Sequence, residues 1–320
     1  MKRLAFALAA IVLGTLAAVA IGEAWARLAQ PPLRAQVMRP AEWLTVRAID
    51  GVPVWRSAHG SAARENADCQ GDARVVLLGS SILYGSGLQP EESPGVQLQA
   101  ALRARGVDAC VHNHAQPGFT FQTQAAVASE VLPALRPQLV LWEIWENSPT
   151  TFAMAGDTAY NLHGLRVGSD GLPWLGGVPA GLNTWLLPRS RLYELLALDL
   201  APETRPNMAK QWQDFAVGAL RAGVTRVRAA GARPAFVLAP RLERPFAEQV
   251  AAPSPVYDPA VDLAERDGVP WTRLETLLAD QSVEALRQDS CCHYNPAGAE
   301  AVGERLAGWI VEQGLLPSPR

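Results

Sequence analysis

The sequence predicts an α/β protein in which a central parallel sheet lies between helices on both faces. Three observations point there. Short apolar runs alternate with amphipathic segments of helical period from about residue 73 to residue 313. Strand, helix, strand in succession is the pattern of βαβ units, whose crossovers cover both faces of a parallel sheet. Polar residues follow several of the strand runs: Ser80-Ser81, Asn113 and Glu146-Asn147. Ligands of such sheets bind beyond the carboxyl ends of the strands, so chemistry is sought at those residues.

The elements follow in order. Residues 74–78 are an apolar run ending at Gly79, suited to a buried parallel strand. Residues 95–105 read as a helix, and 107–111 as a second strand running into polar His112-Asn113-His114. Residues 123–135 are helical and closed by Pro137, and 138–142 form a third strand. Residues 208–230 are a long amphipathic helix closed by Gly231. Residues 235–238 form a fourth strand, 259–267 a helix, 269–271 a short fifth strand and 296–311 the last helix. The segment 148–206 fits the alternation poorly and reads as an insertion near the site. Residues 31–72, opened by Pro31-Pro32, read as a stalk and lead-in, and 314–320 as a C-terminal tail.

The N-terminus is of a different kind. Leu4 to Ile21 carry no charge and follow Lys2 and Arg3. A helix of that run is about 27 Å long at about 1.5 Å per residue, close to the hydrocarbon thickness of a bilayer. Residues 1–30 therefore read as a signal anchor, or as a signal peptide cleaved after Ala26 at the small-x-small Ala24-Trp25-Ala26. Either reading places the rest outside the cytoplasm, because Lys2 and Arg3 hold the N-terminus inside. The expected location is periplasmic on an inner-membrane anchor, or secreted after cleavage. The 320 residues are 18% charged with a formal net charge of -3, and no basic stripe suggests a nucleic-acid partner. The four cysteines, Cys69, Cys110, Cys291 and Cys292, lean towards disulfides in an exported chain, with connectivity open.

A serine nucleophile needs a sharp turn after a strand, a histidine base and a group that orients that histidine. Gly79-Ser80-Ser81-Ile82 supplies the turn. Leu83 stands where Gly-x-Ser-x-Gly would place its second glycine, and no Gly-Lys-Ser/Thr follows, so neither an ordinary α/β-hydrolase elbow nor a P-loop is present. From the turn alone, Ser80 or Ser81 could equally cap a following helix. His293 lies before the last helix, which Pro296 opens, and Asp289 four residues earlier can accept from its Nδ1–H. Asp280 is a more remote acid. His112 and His114 share one strand face, a metal pair without an evident third ligand. Trp142, Trp145, Trp174 and Trp185 could form a sugar-stacking wall or pack in the core.

These residues resemble the blocks of the SGNH hydrolases, the GDSL esterase and lipase superfamily, over about residues 73–313. Gly79-Ser80-Ser81-Ile82-Leu83-Tyr84-Gly85 is similar to Gly-Asp-Ser-x-x-x-Gly, with Ser80 replacing the aspartate. The resemblance implies a flavodoxin-like three-layer sandwich around a central parallel sheet and a nucleophile at Ser81. Asn113-His114-Ala115-Gln116-Pro117-Gly118 resembles the second block and implies that the Gly118 N–H serves an oxyanion hole with the Ser81 N–H. Trp145-Glu146-Asn147-Ser148 resembles the third, Gly-x-Asn-Asp, and implies Asn147 as a further donor, although Trp145 and Ser148 depart from the pattern. The last block, Asp-x-x-His, is met with one extra residue between Asp289 and His293 and with Ser290 at the expected Asp position, so either the loop bulges to let Asp289 serve or Ser81 and His293 act as a dyad. The implied activity is hydrolysis of carboxylic esters through an acyl-enzyme, without a cofactor. Acylated carbohydrate of the cell envelope is a candidate substrate. O-acyl transfer to a glycan and non-catalytic glycan binding are the rival readings.

Overall fold

The computed structural model describes residues 2–31, 33, 37–57, 61–66, 69–146, 152–162, 165–199 and 208–316. The chain divides into two compact units. One comprises residues 1–40 and 151–206, the other 41–150 and 207–320.

The larger unit opens with a hairpin of β1 (Leu44–Ile49) and β2 (Val52–Ser57), paired antiparallel. Its turn is Asp50-Gly51, both with positive φ (51° and 77°). Asp-Gly is the pair that a tight hairpin turn of this twist favours. The sequence reading of residues 31–72 as an irregular lead-in is therefore corrected for 44–57. The short helix α1 (Ser61–Glu65) follows.

The central sheet contains β3 (Ala73–Leu78), β4 (Ala109–Asn113), β5 (Leu139–Ile144), β6 (Arg233–Leu238) and β7 (Trp271–Arg273). Its order is β7-β6-β5-β3-β4, and every pairing is parallel. Taken by their own succession, these strands run 2-1-3-4-5, the flavodoxin-like order. The central strands are apolar over most of their length because both faces are covered, as in Val75–Leu78, Leu139–Trp142 and Ala235–Leu238. On one face lie α3 (Pro94–Ala104) and α7 (Pro296–Glu312), whose Leu98, Leu102, Val302, Leu306 and Ile310 share a core with Val75, Leu77, Leu141 and Val237. On the other lie α4 (Phe121–Leu135), α5 (Met208–Ala229) and α6 (Asp258–Asp267), packed on one another. The molecule thus has the predicted three-layer α/β architecture. The helix starts at Pro94, Pro296 and Thr120-Phe121 are set by proline in the first turn and by the Thr120 cap.

The smaller unit contains the N-terminal helix Lys2–Ala29, whose most apolar 18-residue stretch has a mean hydropathy of 2.6 and is unburied. Val37–Met38, Thr158–Asn161 and Phe152–Ala155 form a three-stranded antiparallel sheet. Helices Ala180–Leu186 and Arg191–Asp199 close over it, burying Tyr160, Leu187, Tyr193 and Leu198. The segment that breaks the α/β alternation therefore has its own sheet and its own core, shared with the N-terminal 40 residues.

Candidate active site

In a sheet of this order the strand sequence reverses between β3 and β5, and the crevice beyond their carboxyl ends is where ligands sit. β3 runs directly into a one-turn helix, α2 (Ser81–Tyr84). The two serines of the turn take different parts. Ser80 is the N-cap, and its side chain accepts from the Ile82 N–H. Ser81 is the first helical residue, so its N–H has no partner within the helix, and its Oγ lies 2.9 Å from His293 Nε2. The cap of the sequence reading is therefore Ser80, and the Ser81 hydroxyl is left facing His293.

His293 stands on the loop before α7. Its Nδ1 lies 2.5 Å from Asp289 Oδ2. The other oxygen of Asp289 accepts from three consecutive backbone amides, Cys291 (2.9 Å), Cys292 (3.0 Å) and His293 (3.3 Å). Partial burial acts to raise the Asp289 pKa. The hydrogen bonds from His293 and from the amides of Cys292, Cys291 and His293 outweigh it and hold the carboxyl at about 2. Asp289 is thus a carboxylate that fixes a proton on Nδ1 and leaves Nε2 free to accept from Ser81. The extra residue between acid and base is absorbed in this turn. Asp280 pairs with Arg305, and it is Asp289 that meets His293.

Gly118 lies in the turn after β4, with φ of 78°, a left-handed conformation that favours glycine. The hairpin holds this turn. Trp55, buried against Phe119, donates its indole N–H to the Pro117 carbonyl at 2.7 Å, and Ser57 N–H donates to Gln116 Oε1 at 3.1 Å. Asn147 lies outside the described residues.

One residue escaped the sequence reading. Glu143, fully buried on β5, accepts from the Ser80 N–H (3.2 Å), the Ser80 hydroxyl and the Leu83 N–H (2.9 Å). Burial raises its pKa above the ordinary carboxyl range, while the hydrogen bonds from Ser80 and Leu83 pull the other way. A side chain at Gly79 would meet Glu143 Oε2 at 2.7 Å, so glycine is required there for the carboxylate to reach the turn. Asn113 Nδ2 grips the other end of α2 through the Leu83 carbonyl, 2.6 Å away. The signal was present: Glu143 is the single charged residue in the apolar run Leu139–Ile144, and a buried charge needs partners to repay its desolvation.

The remaining candidates fall elsewhere. His112 and His114 stack with ring centroids 6.5 Å apart. His112 Nδ1 meets the Glu65 carbonyl oxygen at 2.9 Å. Burial, with Arg56 and His112 nearby, pushes His114 down to about 3, so it stays neutral. Among the described residues no group of three or more His, Cys, Asp or Glu could hold a metal ion. Trp142 and Trp145 are buried in the core, so neither offers a face to a sugar. Trp174 and Trp185 belong to the other unit, where Arg166 and Arg189 lie over their rings. The cysteines pair as Cys69–Cys110 and Cys291–Cys292.

No protein-family model matches the chain, and no curated protein matches it. Solved structures do resemble it. TesA is 17% identical, with 76% of this chain and 99% of that one covered and a TM-score of 0.46. The psychrotrophic esterase EstA from Pseudoalteromonas sp. is 18% identical over 76% and 98%, with a TM-score of 0.44. A putative lipolytic protein of the G-D-S-L family from Desulfitobacterium hafniense DCB-2 is 13% identical over 74% and 99%, with a TM-score of 0.43.

Proposed function

We infer that this chain is a membrane-anchored serine ester hydrolase of the SGNH type, acting on carboxylic esters of the cell envelope. One observation carries the reading: Ser81 Oγ, His293 and Asp289 form a continuous hydrogen-bonded relay at the switch point of the sheet. His293 Nε2 takes the Ser81 proton as Oγ attacks the ester carbonyl. The oxyanion is met by the Ser81 and Gly118 N–H groups, with Asn147 proposed as a further donor on the sequence resemblance alone. Such donors each lower the barrier by about 3–4 kcal/mol when preorganised. The intermediate expels the alcohol, which takes the proton back from His293. Water, deprotonated by His293, then releases the acid from Ser81. Every step is supplied by side chains and backbone of this chain.

The exposed apolar N-terminal helix supports a bilayer anchor, with the catalytic unit on the periplasmic side. The acyl group is proposed to be small, an acetyl on envelope carbohydrate, from this location alone.

The test uses the full chain in detergent. A fluorophosphonate probe is expected to label Ser81, and Ser81→Ala is expected to abolish both labelling and hydrolysis of p-nitrophenyl acetate. Unchanged hydrolysis in Ser81→Ala would end the reading. Adding an oligosaccharide acceptor separates the rival transferase, which would move acetyl to the sugar rather than release acetate.

A further inference from the structure

We propose that the Cys291–Cys292 disulfide is a thiol-reactive site coupled to the triad: closed, it presets the amides that fix Asp289, and opened by a thiol reductant it disarms His293. This inference rests on the catalytic reading above.

The two cysteines are adjacent in sequence, and their bond closes a small ring that contains the peptide between them. That ring sits between the acid and the base. The loop is closed at its neck, where Gln288 N–H donates to the His293 carbonyl at 2.8 Å, and Leu242 N–H donates to the Cys291 carbonyl at 3.0 Å. Inside the neck, Asp289 Oδ1 collects the N–H groups of Cys291, Cys292 and His293. Two of these three donors belong to the residues of the ring. Convergence of three successive amides on one oxygen demands a specific run of backbone torsions. A covalent ring removes alternative torsions that an open chain would sample. The same carboxylate turns its second oxygen to His293 Nδ1. Asp289 itself is not enclosed, since its side chain is 41% exposed. Its position therefore depends on these donors rather than on packing.

The bond is reachable. Cys292 is 5% exposed and lies in the core, whereas Cys291 is exposed at the surface. In the other disulfide Cys110 is fully buried and Cys69 is only half-exposed, so neither of its sulfurs belongs to a residue as exposed as Cys291. A thiolate of a dithiol reductant attacks Cys291 Sγ, forms a mixed disulfide and releases Cys292 as a thiolate, which takes a proton. The second thiol of the reductant then displaces Cys291 as a thiol. The protein gains two hydrogens, and the reductant leaves as its cyclic disulfide. The two free sulfurs then need a wider separation than a bond, and the ring opens.

The experiment takes the full chain in detergent and follows p-nitrophenyl acetate hydrolysis, alkylation mapping by mass spectrometry, and hydrogen exchange of the peptide spanning residues 288–293. Before reduction, Cys291 and Cys292 are expected to resist alkylation. Mild dithiothreitol is expected to open this disulfide first. kcat should then fall about tenfold or more, within the roughly 100-fold that a 1 Å misplacement costs. KM should change little, exchange of 288–293 should rise, and reoxidation should restore both. Cys291→Ser with Cys292→Ser should match the reduced enzyme and lose its response to the reductant, whereas Cys69→Ser with Cys110→Ser should keep it. In an Asp289→Asn background the Cys291/Cys292 change should have no further effect on kcat, because both act through one carboxylate. Free thiols in the untreated protein, an unchanged kcat after mapped reduction, or additive losses in the Asp289→Asn background would each overturn the proposal. Absence of labelling and turnover in the untreated wild type would instead strike the catalytic reading, and the exchange measurement would still report on the loop.

Discussion

Glu143 on β5 accepts a hydrogen bond from the Leu83 N–H at 2.9 Å, and with its other oxygen it holds Ser80. Ser81 therefore stands on a turn clamped by a carboxyl group from the neighbouring strand. Replacing Glu143 by Gln keeps the shape but offers an amide group to an N–H that needs an acceptor, which costs about 1–3 kcal/mol. The pH dependence has a definite sign. A carboxyl whose folded pKa lies above its unfolded value contributes most below the unfolded value, and the contribution is lost as pH rises through the folded one. Burial raises Glu143, so the stability advantage of wild type over Glu143→Gln should be greatest in acid and narrow towards neutral pH. Urea midpoints of both proteins across that range check this, and a gap independent of pH would contradict it.

Asp289→Asn should lose most of its kcat. The asparagine oxygen can keep the three amides, but its NH2 then faces His293 Nδ1 and selects the tautomer whose Nε2 carries the proton. That tautomer cannot accept from Ser81. The loss is expected to reach up to about 10⁴-fold in kcat with KM little changed. Because Asp289 is held at about 2, its ionisation should add no inflection to the wild-type pH–rate profile in weakly acid or neutral solution. An inflection that vanishes in Asp289→Asn while the remaining activity stays high would contradict this assignment.

Trp55→Phe tests whether the hairpin positions the Gly118 turn. The ring contact to Phe119 is kept and the hydrogen bond to Pro117 is lost. Stability should fall by about 0.5–1.5 kcal/mol, the worth of one such bond. The catalytic loss should appear in kcat rather than KM if the Gly118 N–H is the oxyanion donor proposed above. Equal kcat in both proteins would separate the hairpin from the site.

If the anchor reading proposed above is right, the N-terminal helix stays in the mature protein. Glu23 accepts from Ser190 Oγ (2.8 Å) and from the N–H groups of Arg191 (3.0 Å) and Leu192 (2.9 Å), at the start of helix Arg191–Asp199. It acts as a cap supplied from another helix. Cleavage after Ala26 would remove it, and loss of such a cap costs about 0.5–2 kcal/mol. Intact mass of the membrane-extracted protein should include residues 1–26, and Glu23→Ala should lower its melting temperature. A mature chain beginning at Arg27 would refute the anchor.

The α/β alternation was legible because each sheet strand is buried on both faces and so reads as an unbroken apolar run. Val75 to Leu78 and Leu139 to Trp142 are examples. That Ser81 and His293 could meet was legible because a serine in the turn after a strand and a histidine before a helix occupy loop positions, and the structure places them 2.9 Å apart. The hairpin at 44–57 is not evident in the sequence although Asp50-Gly51 announces it, because Pro53 lacks the N–H a strand residue donates and Pro53 to Trp55 break the alternation expected of a strand.

The sequence by itself determined the order of strands and helices, the apolar N-terminal helix and which side chains could act as nucleophile and base. These depend on local periodicity and residue type. Only the tertiary structure decided that Asp289 rather than Asp280 faces His293, that Glu143 clamps the Ser81 turn, and that the cysteines pair as Cys69–Cys110 and Cys291–Cys292. The orienting acid and the clamp work through hydrogen-bond directions. The extra residue in Asp-x-x-x-His is accommodated by backbone torsions that place three amides on one oxygen, and the clamp by the parallel register that sets β5 beside β3. Neither direction nor register is written in the spacing of residues along the chain.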